Sequence, residues 1–418
     1  MIRGILDGAA ALLGYGASSE TAPLDFSSTE IVVLPANAGP DEPVTVCFFW
    51  PGSKEVLTKM PGYPQPLRTV SKPTFRVGEA GSKGLGLFAA RALGQGELII
   101  DERPLLISVR GVPVAVPIWY SQEQTTKYQL KEFEKYLEVV LKEMRPADRD
   151  AFMSLANSHT TDGSGPIAGR IRTNSIGLDG LCPEMSGPMA QYSSVPHFIS
   201  RMNNRHVFLS CCPNTSTNFH DASISYTIYA ARDIAEGEEL TLAYSDVWDT
   251  AANRQQTFKP YGFVCACDAC LDPVNSDARR AKIRSFVPTV QLWAVNRSLP
   301  DDWLINKCLE QMALLEQEKL EGEAQYHAAI NAIMEAYICL GNSPKVRHWA
   351  ARARKCPWAA NIETLDVLIA LKSHSRHPLW RMRVDDKPKG EMASQLKRLA
   401  ALAGGTDNGR GLIMFAGA

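Results

Sequence analysis

The chain has almost no net charge and no long apolar run, and each absence narrows its function. Its 418 residues carry 44 basic and 45 acidic side chains, a formal net charge of -1. Direct nucleic-acid binding wants a basic face, and this balance offers no electrostatic case for one. No stretch reaches the roughly 18 apolar residues that a membrane-spanning helix needs. The opening residues, Met1 to Asp7, have the outline of a secretory signal, with Ala9-Ala10-Ala11 in the place of a cleavage site. Asp7 breaks that apolar run too early, so secretion is not expected. A dense disulfide framework is also missing. Ten cysteines are scattered, apart from Cys211/Cys212 and the run Cys265, Cys267, Cys270. A close C-x-C-x-x-C cluster in a chain with no secretory signal reads better as a metal site than as disulfides.

The length allows two or three domains. Residues 1–73 are rich in Pro, Ser, Ala and Gly and read as a partly disordered leader, with one strand-like stretch at Val44–Trp50. From Thr74 the texture becomes β. Short apolar runs such as Glu97–Ile100 and Leu105–Val109 are bounded by Gly96 and Pro104. Between 121 and 157, Leu130, Phe133, Leu137, Leu141 and Met144 recur at helical steps opposite a Lys/Glu face, until Pro146 breaks the pattern. Ser223–Ala230 alternates like a strand, and Glu236-Gly237-Glu238 reads as a turn. After Pro273 the chain is helical. Leu304, Cys308, Met312 and Leu315 mark one helix, and Ala329, Ile333, Ala336 and Leu340 a second, ended by Gly341–Pro344. Val346, Trp349 and Ala353 mark a third, and Leu365, Leu368 and Leu371 a fourth. A solenoid of helix pairs and a plain bundle fit equally well.

Five segments carry candidate chemistry. Lys83-Gly84-Leu85-Gly86-Leu87-Phe88 holds a glycine pair that opens space next to the backbone. Thr173-Asn174-Ser175 places a polar amide. Ser200-Arg201-Met202-Asn203 precedes Ser210-Cys211-Cys212-Pro213-Asn214. Glu238-Glu239-Leu240-Thr241-Leu242-Ala243-Tyr244 ends on a tyrosine. Cys265-x-Cys267-x-x-Cys270 follows Tyr261-Gly262-Phe263. Zinc wants four ligands, so three close cysteines need a fourth from elsewhere. His159, His197 and His220 lack ligand spacing and read as surface or cap residues. Cys308, Cys339 and Cys356 read as small core residues.

In this order these segments resemble the SET domain with its post-SET tail, as found in protein-lysine methyltransferases. KGLGLFAARALGQGELI resembles the domain's opening, and Arg201-Met202-Asn203 with Ser210–Asn214 resembles R-x-N-H-S-C-x-P-N. The resemblance covers roughly 74–110 and 167–272, with a helical gap at 111–166 that has no cysteines and so no MYND finger. The chain also resembles fungal SET proteins that lack MYND.

The resemblance implies an α+β fold, made of a SET-domain β-fold with a helical insert, a post-SET zinc segment and a tetratricopeptide-like C-terminal domain. The expected divisions are 1–73, 74–110, 111–166, 167–250, 251–275 and 276–418. It implies an S-adenosylmethionine-dependent lysine N-methyltransferase with Tyr244 as catalytic tyrosine. Lys83, Gly84, Leu85, Gly86, Asn174, Asn203, His206, Tyr261 and Phe263 would meet the cofactor, with an aromatic stacking on adenine. Cys211, Cys265, Cys267 and Cys270 would hold zinc, with Cys212 the neighbouring alternative to Cys211. The partner would be a protein presenting a lysine, histone or not, and the chain a monomer of the nucleus and/or cytoplasm.

One departure stands out. Asn204–Leu209 occupies the place of a single family histidine. Asn203 and His206 then reach the cofactor past a bulge, or the pocket is damaged, or the segment marks a mis-set exon boundary. A damaged pocket would leave a protein-interaction module derived from a SET enzyme.

Overall fold

A computed structural model describes residues 29–80, 85–179, 181, 191–196, 210–243, 245–259, 264–356, 362–370 and 374–385. The chain forms two compact units, Met1–Ala278 and Arg279–Ala418.

The first unit is built on three β-layers. Strands β1 (Glu30–Leu34), β2 (Thr45–Phe49), β6 (Pro104–Val109), β7 (Ile176–Asp179) and β8 (Gln191–Pro196) make a five-stranded sheet in the order β1-β2-β6-β8-β7. Only β2 and β6 run parallel in it. Strands β5 (Leu98–Glu102), β9 (Thr215–His220) and β10 (Ser225–Ala230) form a three-stranded antiparallel sheet with β10 central. Strands β3 (Phe75–Glu79) and β4 (Leu85–Ala89) form a hairpin in which Gly78 faces Gly86.

The segment expected to be a partly disordered leader supplies two of these strands. β2 is the strand-like Val44–Trp50 stretch, and all five of its residues are buried. Leu34 of β1 is buried in the same core. Pro-rich composition hid this, because the apolar residues that pay off in burial come in two short runs too brief to outweigh their flanks.

Between β6 and β7 lie helices α2 (Gln122–Lys142), α3 (Pro146–Met153) and α4 (Pro166–Asn174), after a short helix, α1 (Ser53–Thr58), that follows β2. A capping box of Ser121 and Gln124 starts α2. Its Phe133, Leu137, Val140 and Leu141 join the core that holds β2 and β6. Pro146 starts α3, where its missing N–H costs nothing. A second core, with Leu87, Ile99, Ile228, Ile234 and Leu240, joins the hairpin to the three-stranded sheet. After β10 come α5 (Ala251–Phe258) and α6 (Asp268–Leu271), and the unit boundary falls within α7 (Pro273–Ser285).

The second unit continues with α8 (Val290–Val295), α9 (Trp303–Gln317), α10 (Ala324–Cys339), α11 (Ser343–Ala353) and α12 (Ile362–Ile369). From α9 onward each helix packs on the next, and α8 also contacts α10. Leu304, Cys308, Met312 and Leu315 are buried on α9, as are Ala329, Ile333 and Ala336 on α10. Gly341 ends α10 with φ 71°, a conformation that side chains with a Cβ resist, and Asn342 caps α11. Cys308, Cys339 and Cys356 are all buried. No helix among the described residues is long and apolar enough to cross a membrane.

Candidate functional site

The Ser210–Asn214 segment lies against the stretch that leads to Tyr244. Ser210 N donates to Leu242 O at 3.0 Å, and Thr215 N donates to Thr241 O at 3.1 Å. Asn214 locks the two together. Its Nδ2 donates to Glu239 O (2.8 Å) and Glu238 Oε1 (3.1 Å), and its Oδ1 accepts from Thr241 N (2.7 Å). Thr241 Oγ1 in turn accepts from Asn214 N at 3.1 Å. Burial opposes the charge of Glu238, but hydrogen bonds from Arg232 and Asn214 win and hold its pKa below the usual range. The 238–240 stretch also pairs with β4, through Leu240 N to Leu87 O (2.8 Å) and Ala89 N to Glu238 O (2.9 Å). One strand edge therefore joins the opening glycine segment, the S-C-x-P-N turn and the approach to the tyrosine.

Four thiols meet next to this junction. The Sγ atoms of Cys211, Cys265, Cys267 and Cys270 all lie within 4.8 Å of one another. Cys211 is 3.8 Å from Cys265 and 3.5 Å from Cys270. Sulfurs bound at about 2.3 Å to one tetrahedral zinc would sit about 3.8 Å apart, whereas a disulfide needs about 2 Å. The spacing thus suits a closed zinc site, which is structural because it leaves no open coordination position. Hydrogen bonding among the thiols splits them: with Cys265 first it pushes Cys211 up, and with Cys211 first it lowers Cys267 and Cys270, Cys270 to about 6. A dication would take the place of those shared protons. Cys212 Sγ is 3.9 Å from Cys267 Sγ, so it borders the cluster rather than pointing away from it as an extended neighbour would.

Helix α5 backs the thiols, a role the sequence did not signal. Phe258 packs on Cys211 and Cys265. Gln255 grips the backbone of Cys265 from both sides, donating to its O at 2.9 Å and accepting from its N at 3.3 Å. Arg254 is fully buried, with Nη2 3.9 Å from Cys270 Sγ. Burial disfavours its charge, yet Cys211 and Cys270 outweigh that and raise its pKa.

Asn174 closes α4 and is buried. Its Nδ2 donates to Ala156 O (2.8 Å) and Arg170 O (2.7 Å). Both N–H groups are spent on the fold, so any ligand would meet its oxygen, an acceptor suited to an ammonium. The start of α4 is held by Glu134 of α2, which accepts from Ile167 N (2.7 Å) and Ala168 N (2.8 Å). A carboxylate there complements the helix dipole. A Cβ on Gly165 would lie 2.2 Å from the Glu134 carboxyl carbon, so glycine is required for that approach.

Of the expected cofactor set, Gly86 and Asn174 are described, and Leu85 opens β4 opposite Glu79. Lys83, Gly84, Asn203, His206, Tyr261 and Phe263 lie outside the described residues, as do Tyr244 and the Asn204–Leu209 segment. Sequence reading missed Arg254 and Gln255, and the only available signal was their place on a short helix just ahead of the cysteines. His159, expected as a surface or cap residue, is not at the surface. It is buried, with Nδ1 2.7 Å from Asp162 Oδ2, because Arg172 holds that carboxylate at 2.6 Å against α4.

Residues 84–245 of the chain match the SET domain family. It is 28% identical over 233 residues to "Histone-lysine N-methyltransferase set5" of Schizosaccharomyces pombe, covering 56% of this chain and 60% of that one. It is 37% identical over 82 residues to "Histone-lysine N-methyltransferase SET5" of Meyerozyma guilliermondii, covering 19% of this chain and 17% of that one. It is also 35% identical over 66 residues to the human "Protein-lysine N-trimethyltransferase SMYD5", covering 15% and 16%. The chain thus spans 60% of the first relative's length and under a fifth of the other two.

Proposed function

We propose that the protein is an S-adenosylmethionine-dependent protein-lysine N-methyltransferase. The observation that carries this is the Asn214 clamp, which fastens the S-C-x-P-N turn to the 238–242 stretch leading to Tyr244. Leu85, Gly86 and Asn174 fit a cofactor role as far as they are described. Position 86 adds no side chain to the strand, and Asn174 offers an acceptor oxygen. Lys83, Gly84, Asn203, His206, Tyr261 and Phe263 would complete the set. The cofactor, when bound, supplies an electrophilic methyl group on a sulfonium. The protein's task is to present a lysine amine in its neutral form. A free lysine has a pKa of about 10.4, so a narrow apolar channel that disfavours charge must help it lose its proton. The Tyr244 hydroxyl would then orient the amine and hold it in line for displacement.

Zinc in the four-cysteine site would pin the tail after α5 next to this junction. Relatives that are histone-lysine N-methyltransferases make a histone the first substrate to try, and they favour the nucleus and/or cytoplasm. The test is calorimetric titration of zinc-loaded protein with S-adenosylmethionine, followed by methyl transfer to histones with Tyr244→Phe as control. Binding and Tyr244-dependent transfer are expected. No detectable binding would sink the enzyme reading and leave a SET-derived interaction module.

A further inference from the structure

Arg254 is the one feature of the thiol site that the fold alone does not explain. A buried guanidinium is expensive unless its donors find partners. Arg254 Nη1 donates to Asp249 O and lies 3.4 Å from Asp277 Oδ1, but that carboxylate is spent mainly on α5, accepting from Ala251 N at 3.0 Å through each oxygen. Arg254 Nε is buried with no acceptor among the described residues. Nη2 is left facing the Cys270 sulfur at 3.9 Å.

The charge balance gives this arrangement a purpose. Four thiolates around a dication leave a doubly negative site, and Cys211 and Cys265 are buried. A fixed cation at the sulfurs offsets that charge, and an N–H directed at a thiolate draws density from it. We propose that Arg254 is the counter-charge of the zinc site and sets its metal affinity, while Gln255 of the same helix holds the backbone of the ligand Cys265. Arg254 is thus a positioning residue that acts through Cys270. The inference rests on the zinc reading above.

The experiment uses the full chain. Zinc content and competition with a chromophoric chelator are measured for the parent protein, Arg254→Gln and Arg254→Lys, and each is reloaded with cobalt to read the sulfur-to-cobalt charge-transfer band. Arg254→Gln should keep one metal per chain but bind it about 10- to 100-fold more weakly, the usual effect of losing an outer-shell partner. Its charge-transfer band should move, and Arg254→Lys should recover part of both effects. Equal zinc affinity and an unmoved band in a folded Arg254→Gln protein would overturn the proposal. Should Arg254→Gln fail to fold, Asp277→Asn decides the matter. With the competing carboxylate neutral, the charge of Arg254 is left to the thiolates and zinc affinity should hold or rise. A tenfold fall would mean that the Arg254–Asp277 pair is only scaffolding. A parent protein that binds no zinc fails the metal reading itself, which is a separate result.

Discussion

Asn214 and Thr241 hold each other through reciprocal hydrogen bonds, Thr241 N to Asn214 Oδ1 at 2.7 Å and Asn214 N to Thr241 Oγ1 at 3.1 Å. This pair explains why a short turn motif can organise a site across 27 residues of sequence. The asparagine is buried and also serves Glu239 O, so its side chain replaces a stretch of missing ladder. Asn214→Ala would strand the Thr241 N–H and the Glu239 carbonyl. Each buried group left unmet costs about 1–3 kcal/mol, so a loss of about 2–4 kcal/mol is expected. Urea unfolding followed by tryptophan fluorescence checks it. Asn214→Asp should cost less, because the acceptor to Thr241 N survives.

The cysteine site makes a sharper claim about which thiols matter. Metal analysis of the purified protein should give one zinc per chain, and Cys267→Ser should lose it. Cys211→Ser should lose it too, whereas Cys212→Ser should keep it, since Cys212 lies outside the group of four Sγ atoms within 4.8 Å. The reverse pattern for the two neighbours would move the ligand to Cys212. Chelation should lower the unfolding temperature of the parent protein, because metal binding to the folded state is stabilising free energy.

The buried His159 gives the first unit a pH dependence of known sign. Burial, and next the charge of Arg172, lower its pKa below the ordinary 6.5, against the pull of Asp162. The unfolded chain therefore takes up a proton before the folded one does. Stability should be full above about pH 6.5 and fall as pH drops toward the folded pKa. His159→Gln should flatten the denaturation midpoint between pH 7 and the acid range, roughly, while leaving the decline from carboxylates at lower pH. An unchanged slope in the variant would remove His159 from the account.

Much of this architecture was legible in the sequence, and the exceptions share a cause. Helices α9, α10 and α11 announce themselves because Leu304, Cys308, Met312 and Leu315, or Val346, Trp349 and Ala353, repeat at helical spacing. The thiol cluster was legible because Cys211 and the 265–270 run have one economical use between them. Strand β1 and the core role of β2 were not legible, since their pairing with each other and with β6 is long-range and leaves no local period. The outer partners of the site were hidden for the same reason. Arg254 and Gln255 look like polar positions on a short helix, and only the folded chain shows that one faces a sulfur and the other a ligand backbone. His159 misled because its partner Asp162, three residues on in a loop, is itself held by Arg172, ten residues further along in a helix.

The helical unit depends on a second buried arginine, and it offers a test independent of the SET domain. Arg383 donates Nη1 to Trp293 O (2.5 Å) and Asn296 O (3.1 Å), Nη2 to Leu299 O, and Nε to Asp301 Oδ1 (2.7 Å). Its guanidinium lies 4.4 Å from the centre of the Trp293 ring. One side chain thus serves the carbonyls at the end of α8 and the loop before α9, and adds a cation–π contact. Arg383→Ala would leave three carbonyls without this donor and open a gap beside Trp293, a loss of about 3 kcal/mol or more. Arg383→Lys keeps the charge but lacks the planar fork, so it should recover only a minor part. Thermal unfolding followed by circular dichroism at 222 nm, roughly the helix band, reads both variants. The zinc content should be the same in all three proteins, because Arg383 lies in the unit that carries none of the four thiols. A falling zinc content in Arg383→Ala would show that the two units do not hold their structure separately.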